Sequence, residues 1–159
     1  MIPEDCLELL EGLNSAGVRY LLGGDAALNF YGVGRAVGIL ELVTDPAAGV
    51  PSGFLEVLGR KGWVPAGHDG TADPLTVGGD VPTWAFRSGQ ESGIPVKAAP
   101  SGDMAFDPAF SRRLEVRCDR LTIPVLSLVD LIAVKRASPG QRDNADAGIL
   151  ERILRMRGG

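Results

Sequence analysis

Helical spacing of apolar residues appears near both ends of the chain and at several points between them. It predicts helices over residues 3–16, 25–31, 52–61, 107–113 and 143–156. One more helix is expected to begin after Ser127, because Ser127 and Asp130 form a capping box just ahead of an apolar stripe. Helices are therefore expected near both ends of the chain and at intervals between them.

Shorter apolar runs predict strands between the helices. These runs lie at residues 18–22, 38–44, 81–87, 93–99, 114–118 and 121–125. The last two runs predict a hairpin that turns at Asp119 and Arg120. Residues 66–80 are rich in Gly, Asp and Pro and predict a loop.

Length, charge and cysteine content narrow the class of protein. The 159 residues suit one domain with a full core, and a net charge of -4 argues against a dedicated nucleic-acid-binding module. Cys6 and Cys118 are too far apart to suggest a zinc motif or a disulfide framework. The single histidine, His68, cannot build a histidine-based zinc site. No signal peptide or membrane span is visible, so a cytoplasmic protein is expected.

Glu41 is unusual because it lies in the middle of a predicted strand. A carboxylate in a buried strand is unfavourable unless a partner neutralises it or the protein uses it. Three interpretations stay open: a remnant of a metal site, a working catalytic carboxylate, or a solvent-facing residue of an ordinary strand. Ile39 and Val43 share the face of Glu41, because side chains alternate along a strand, and this favours a sheltered setting.

Several residues between and after these elements could bind an anion. The turn Gly23-Gly24 joins a predicted strand to a predicted helix, and it either binds a phosphate through backbone N–H groups or is a plain turn. Asp25 is expected to be the N-cap of that helix. Lys135 continues the apolar stripe seven residues after Leu128, so it either faces a site or extends its charged end into solvent.

Two groups of short motifs, one near each end of the chain, match a known family. The first contains "LGG" at residues 22–24, "FYG" at 30–32, Arg35 and "ILELVTDP" at 39–46. The second contains "IPVLSLVDLIAVKRA" at 123–137, followed by Arg142, Asp143 and Asp146. The chain thereby resembles the small bacterial nucleotidyltransferase-like proteins of the DNA polymerase beta-like superfamily, over about residues 4–155.

The resemblance implies a fold and a site. The fold would be α+β, with helices packed against a mixed, largely antiparallel sheet, in a single domain over residues 1–159. Active relatives need three carboxylates that hold two divalent ions, usually Mg²⁺. The resemblance aligns Ile39 with the first carboxylate, Glu41 with the second and Lys97 with the third, which implies an eroded metal site. The nucleotide- and phosphate-binding positions that it implies are Gly23, Gly24, Arg35, Lys135, Arg142 and Asp143.

The resemblance leaves three functions open. The first is a catalytically impaired protein that binds a nucleotide or a partner protein and needs no cofactor. The second is an active enzyme that moves a nucleoside monophosphate from an NTP to a protein or a small molecule. It would need Mg²⁺ and further carboxylates, such as Asp45 or Asp103. The third is an antitoxin-like interaction protein of a toxin–antitoxin or phage-defence pair.

Overall fold

The computed structural model describes residues 2–45, 50–65, 84–88, 93–101, 103–138 and 140–158. These residues form six helices and seven strands. The helices are α1 (Glu4–Ser15), α2 (Gly24–Phe30), α3 (Val50–Arg60), α4 (Phe106–Ser111), α5 (Leu128–Ala137) and α6 (Gln141–Met156). The strands are β1 (Tyr20–Leu22), β2 (Leu40–Thr44), β3 (Trp63–Pro65), β4 (Trp84–Ser88), β5 (Val96–Pro100), β6 (Leu114–Cys118) and β7 (Leu121–Val125).

The seven strands form one mixed sheet, in the order β3-β4-β5-β2-β1-β7-β6. Strand β2 is parallel to β5, and β1 is parallel to β7. The other four neighbouring pairs are antiparallel. The expected fold, a mixed and largely antiparallel sheet with helices packed against it, is therefore confirmed.

The two faces of β2 differ because its side chains alternate. Leu40 and Leu42 are buried, whereas Glu41 is exposed on the opposite face. Phe86 of β4 lies on the face of Leu40, since the strand registers align both residues with the same residue of β5. Phe54 of α3 packs on this face, with its ring centroid 6.2 Å from that of Phe86. The sheet therefore presents Glu41 on the face away from α3.

Helices α5 and α6 form the C-terminal layer. The Ser127 hydroxyl oxygen accepts a hydrogen bond of 3.1 Å from the backbone N–H of Asp130, which confirms the predicted cap of α5. The Asp130 carboxylate also accepts a hydrogen bond of 2.8 Å from Arg112. On the outer surface, Arg136 of α5 and Glu151 of α6 form an ion pair at 2.9 Å.

Two of the sequence-based assignments are wrong in detail. Strand β3 was not predicted, because its three residues are too short to show a period of two. Gly23 is the N-cap of α2, and no side chain caps this helix. Asp25 is therefore the second residue of α2 rather than its cap.

Some predictions concern residues outside the described ones. They are the loop at 66–80, which contains His68, the first part of the strand at 81–87, and Pro46. Within the described ranges, no helix has the length and apolar composition that crossing a membrane would require.

Candidate functional site

A cleft of about 500 Å³ opens on the face of the sheet that carries Glu41. It is bounded by the segment that leads into β2, the start of α2, and helices α5 and α6. Most of its lining side chains are charged, with both signs present. The lining residues are Asp25, Ala36, Gly38, Ile39, Glu41, Lys135, Arg142 and Asp143.

The Glu41 side chain lies directly against Gly24 at the edge of this cleft. A Cβ atom added to Gly24 would be 2.9 Å from Cδ of Glu41 and closer still to its Oε2. Gly24 also has a φ of +61°, a backbone conformation that favours glycine. The backbone N–H of Gly23 donates to the carbonyl of Glu41 at 2.9 Å, which extends the pairing of β1 with β2. The Gly-Gly turn thus holds the Glu41 backbone on one side and leaves room for its carboxylate on the other.

Protein atoms surround much of the Glu41 carboxylate, although part of its surface still reaches solvent. Desolvation raises the pKa of Glu41 above its usual value. The positive charges of Lys135 and then Lys97 act in the opposite direction and favour ionisation, while Asp25 and Asp143 add to the upward shift. The pKa of Glu41 therefore depends on two nearby lysines and two nearby carboxylates as well as on burial.

Lys97 lies beside Glu41 on the neighbouring strand. The parallel register of β2 and β5 aligns Glu41 with Lys97, and aligned residues of adjacent strands project from the same face. Within the part of the chain that the structure describes, the two side chains form no direct ion pair. The reason is the direction of the Glu41 carboxylate, which lies over Gly24 rather than toward β5. Ile39 lines the same cleft one residue before β2 begins.

Lys135 is buried at the back of the cleft, with 9% of its surface exposed. Its Nζ lies 3.1 Å from Oδ1 of Asp143 and 3.4 Å from Oδ2 of Asp146, and both carboxylates belong to α6. Hydrogen bonding from Ser138, followed by that from Lys135, lowers the pKa of Asp143. Lys135 therefore faces the cleft but is already neutralised by the helix beside it.

Arg142 and Asp25 form an ion pair of 3.1 Å between α6 and α2. The Arg142 side chain is 68% exposed, whereas that of Asp25 is 23% exposed. Because both residues line the cleft, their ion pair lies where a ligand would enter. The exposed guanidinium can turn from Asp25 to a ligand at little energetic expense, since exposed ion pairs contribute about 0–1 kcal/mol.

Arg35 does not belong to the cleft lining, although the sequence resemblance assigns it to phosphate binding. Its guanidinium donates to Oδ1 of the buried Asp146 at 2.6 Å. The side-chain amide of Asn29 accepts from the N–H of Arg35 at 2.7 Å and donates to its carbonyl at 2.9 Å. Arg35 therefore fastens the segment between α2 and β2 to α6.

No pattern in the sequence singles out Asn29 or Ser138 as parts of this arrangement. Asn29 lies inside α2, where an amide commonly faces solvent, and Ser138 only ends α5. The Tyr31 hydroxyl, which lies within the "FYG" motif, donates to the carbonyl of Leu126 at 2.6 Å. That motif therefore anchors the end of α2 to the segment between β7 and α5.

The donor groups present do not fit a pair of divalent ions. Among the described residues, no three His, Cys, Asp or Glu side chains lie close enough together to hold a metal ion. Asp45 is buried and forms an ion pair with Arg19, and Asp103 is an exposed turn residue. Neither residue lines the cleft beside Glu41.

No family model matches the sequence, and no curated protein gives a significant match. Solved structures do match. An inferred nucleotidyltransferase from Thermotoga maritima, TM1012, superposes with a TM-score of 0.61 at 14% identity, covering 99% of this chain and 94% of that one. The chain has the nucleotidyltransferase fold.

Two further solved structures with this nucleotidyltransferase fold are similar along nearly their whole length. The lincosamide antibiotic adenylyltransferase LnuA, bound to lincomycin, has a TM-score of 0.63 at 13% identity, covering 96% of this chain and 98% of that one. ANT(2″)-Ia, in complex with adenylyl-2″-tobramycin, has a TM-score of 0.57 at 12% identity, covering 94% and 91% of the two chains. At such low identity the comparison establishes the fold alone.

Proposed function

We propose that this protein binds a nucleotide in the cleft beside Glu41 without transferring it. The observation that supports the loss of transfer is the alignment of Lys97 with Glu41 on adjacent strands. Two-metal nucleotidyl transfer depends on carboxylates that hold both ions at the reacting phosphate. Lys97 lies beside Glu41, and Ile39 comes one residue before β2. Neither side chain has an oxygen that could bind a metal ion.

The size and charge of the cleft support a nucleotide as the ligand. Its volume of about 500 Å³ falls within the range of about 300–1,000 Å³ that is typical of small-molecule sites. Lys135 and Arg142 place cationic groups in its wall, and phosphate groups are commonly recognised by such side chains. LnuA is an adenylyltransferase and ANT(2″)-Ia was solved with an adenylylated product, so adenylyl groups are handled on this fold.

The alternative, an active enzyme, is supported by the same two proteins, LnuA and ANT(2″)-Ia. Each match covers more than nine-tenths of this chain and of the other chain. On that hypothesis the chain would transfer an adenylyl group to a small hydroxylated acceptor. The two free cysteines, Cys6 and Cys118, agree with either function in a reducing cytoplasm. The third possibility is that the chain binds a partner protein. That hypothesis predicts neither nucleotide binding nor nucleotidyl transfer.

The test is equilibrium dialysis with ATP labelled at the α-phosphate, performed with and without Mg²⁺, followed by a search for label on added hydroxylated acceptors and on the protein. We expect saturable binding and no transferred label. Transfer of label would establish the enzyme instead. If ATP fails to bind in either condition, the binding hypothesis is wrong.

Arg142→Ala is expected to weaken ATP binding by about tenfold, because one charge-assisted hydrogen bond to a phosphate would be lost. The fold should tolerate this change, since the Arg142 side chain is 68% exposed. Arg152→Ala is the matched control, because Arg152 is exposed on the same helix but does not line the cleft. Dialysis of both variants should therefore show a change only for Arg142→Ala.

A further inference from the structure

Among the described cations at or beside the cleft, Lys97 is the one that forms no ion pair with a carboxylate. Lys135 is bound to Asp143, and Arg142 is bound to Asp25. Over the described residues, Lys97 forms no ion pair, and its side chain is exposed. Arg142 must leave its exposed pair with Asp25 to bind a ligand, whereas Lys97 has no such pair to break.

The position of Lys97 is fixed by the strand on which it lies. Strand β5 pairs with β2 over five aligned residues, and Lys97 occupies the position next to Glu41. The positive charge of Lys97 favours ionisation of the Glu41 carboxylate. Lys97 does not line the cleft itself, but it projects from the same face of the sheet as Glu41, so its side chain is placed to reach a phosphate bound next to Glu41.

We propose that Lys97 binds the nucleotide phosphates directly, in the role that a divalent cation has in metal-dependent transfer, so that the cleft takes the metal-free form of the nucleotide. This inference rests on the proposed function and specifies the state of its ligand. The ammonium supplies positive charge and hydrogen-bond donors to phosphate oxygens. Mg²⁺ bound to the same phosphates would bring a second cation beside Lys97.

The surroundings of Glu41 favour the metal-free form for three reasons. Mg²⁺ requires a near-octahedral set of oxygen ligands, and Glu41 would be the protein carboxylate nearest to Lys97 on the sheet. The Glu41 carboxylate lies over Gly24 and would have to leave that position to reach a metal. Repulsion between Mg²⁺ and the Lys97 ammonium adds to this difficulty at short distance. Mg²⁺ should therefore weaken nucleotide binding.

The experiment is isothermal titration calorimetry with ATP, once with EDTA and once with excess Mg²⁺. Wild-type protein should bind ATP at least several-fold more tightly in EDTA. Lys97→Ala should lose about tenfold in affinity in EDTA and should abolish the difference between the two conditions. Lys97→Arg keeps the positive charge and should retain most of the wild-type affinity.

Arg60→Ala is the matched control, because Arg60 is exposed on α3 and lines a separate groove between α1 and α3. It should leave ATP affinity unchanged in both conditions. Tighter binding with Mg²⁺, or binding that is unaffected by Lys97→Ala, would overturn the metal-free inference but would leave nucleotide binding in place. Failure of wild-type protein to bind ATP in either condition would overturn both proposals.

Discussion

Replacing Asp146 by Ala is expected to lower the free energy of unfolding by about 3–5 kcal/mol, the usual effect of removing one partner from a buried ion pair. Asp146 is 1% exposed and lies between two cations. Its carboxylate accepts from Arg35 at 2.6 Å and lies 3.4 Å from Lys135. Without it, the half-buried Arg35 loses its carboxylate, and the buried Lys135 keeps Asp143 alone. Denaturant unfolding followed by circular dichroism measures the loss.

Glu151→Ala provides the matched control for this prediction. The pair formed by Arg136 and Glu151 also joins α5 to α6, at 2.9 Å, but its side chains are 45% and 37% exposed. Exposed pairs contribute about 0–1 kcal/mol, so this change should scarcely move the unfolding midpoint. Equal losses for the two variants would contradict the role assigned to burial of Asp146.

Gly24→Ala is expected to lower the free energy of unfolding by about 1–3 kcal/mol, the usual effect of a non-glycine residue in a left-handed conformation, and to displace Glu41. Gly24 has a φ of +61°, and an added Cβ would meet the Glu41 carboxylate. Gly17→Ala is the matched control, because Gly17 has a φ of +71° with nothing within 4 Å of an added Cβ. Chemical denaturation should show a larger loss at Gly24 than at Gly17.

The double variant Gly24→Ala/Glu41→Ala separates backbone strain from the contact with Glu41. Truncating Glu41 to Ala removes the contacts with the carboxyl group, leaves the Cβ of residue 41 at 3.1 Å from the added Cβ, and does not change the backbone conformation. The double variant should therefore lose less free energy of unfolding than Gly24→Ala does, with a loss closer to that of Gly17→Ala. No recovery would mean that the Glu41 carboxylate does not lie against Gly24 in solution.

Local patterns in the sequence predicted the elements that depend on neighbouring residues. The hairpin of β6 and β7 was located at its observed residues, since alternation and the turn at Asp119 lie within one short segment. The cap of α5 was predicted because Ser127 and Asp130 are three residues apart. Such features need no information about the rest of the fold.

Contacts between distant parts of the chain could not be worked out from local patterns. The sequence resemblance assigned Arg35 to phosphate binding, but its guanidinium binds Asp146, which lies 111 residues later. The resemblance aligned Glu41 and Lys97 with two positions of one site, and the strand register does align them, but the Glu41 carboxylate lies over Gly24. A side chain's direction depends on the space that the assembled fold leaves for it, and a strand pattern does not contain that information.

The most direct test of the proposal that this cleft holds no catalytic metal ions is a titration with Mn²⁺ followed by electron paramagnetic resonance. Wild-type protein should bind no Mn²⁺ tightly, because Ile39 offers no oxygen and Lys97 repels a cation beside Glu41. The triple variant Ile39→Asp/Glu41→Asp/Lys97→Asp should gain Mn²⁺ binding while keeping the wild-type circular dichroism spectrum. Tight Mn²⁺ binding by the wild-type protein would contradict the proposal and would make the active enzyme the better account.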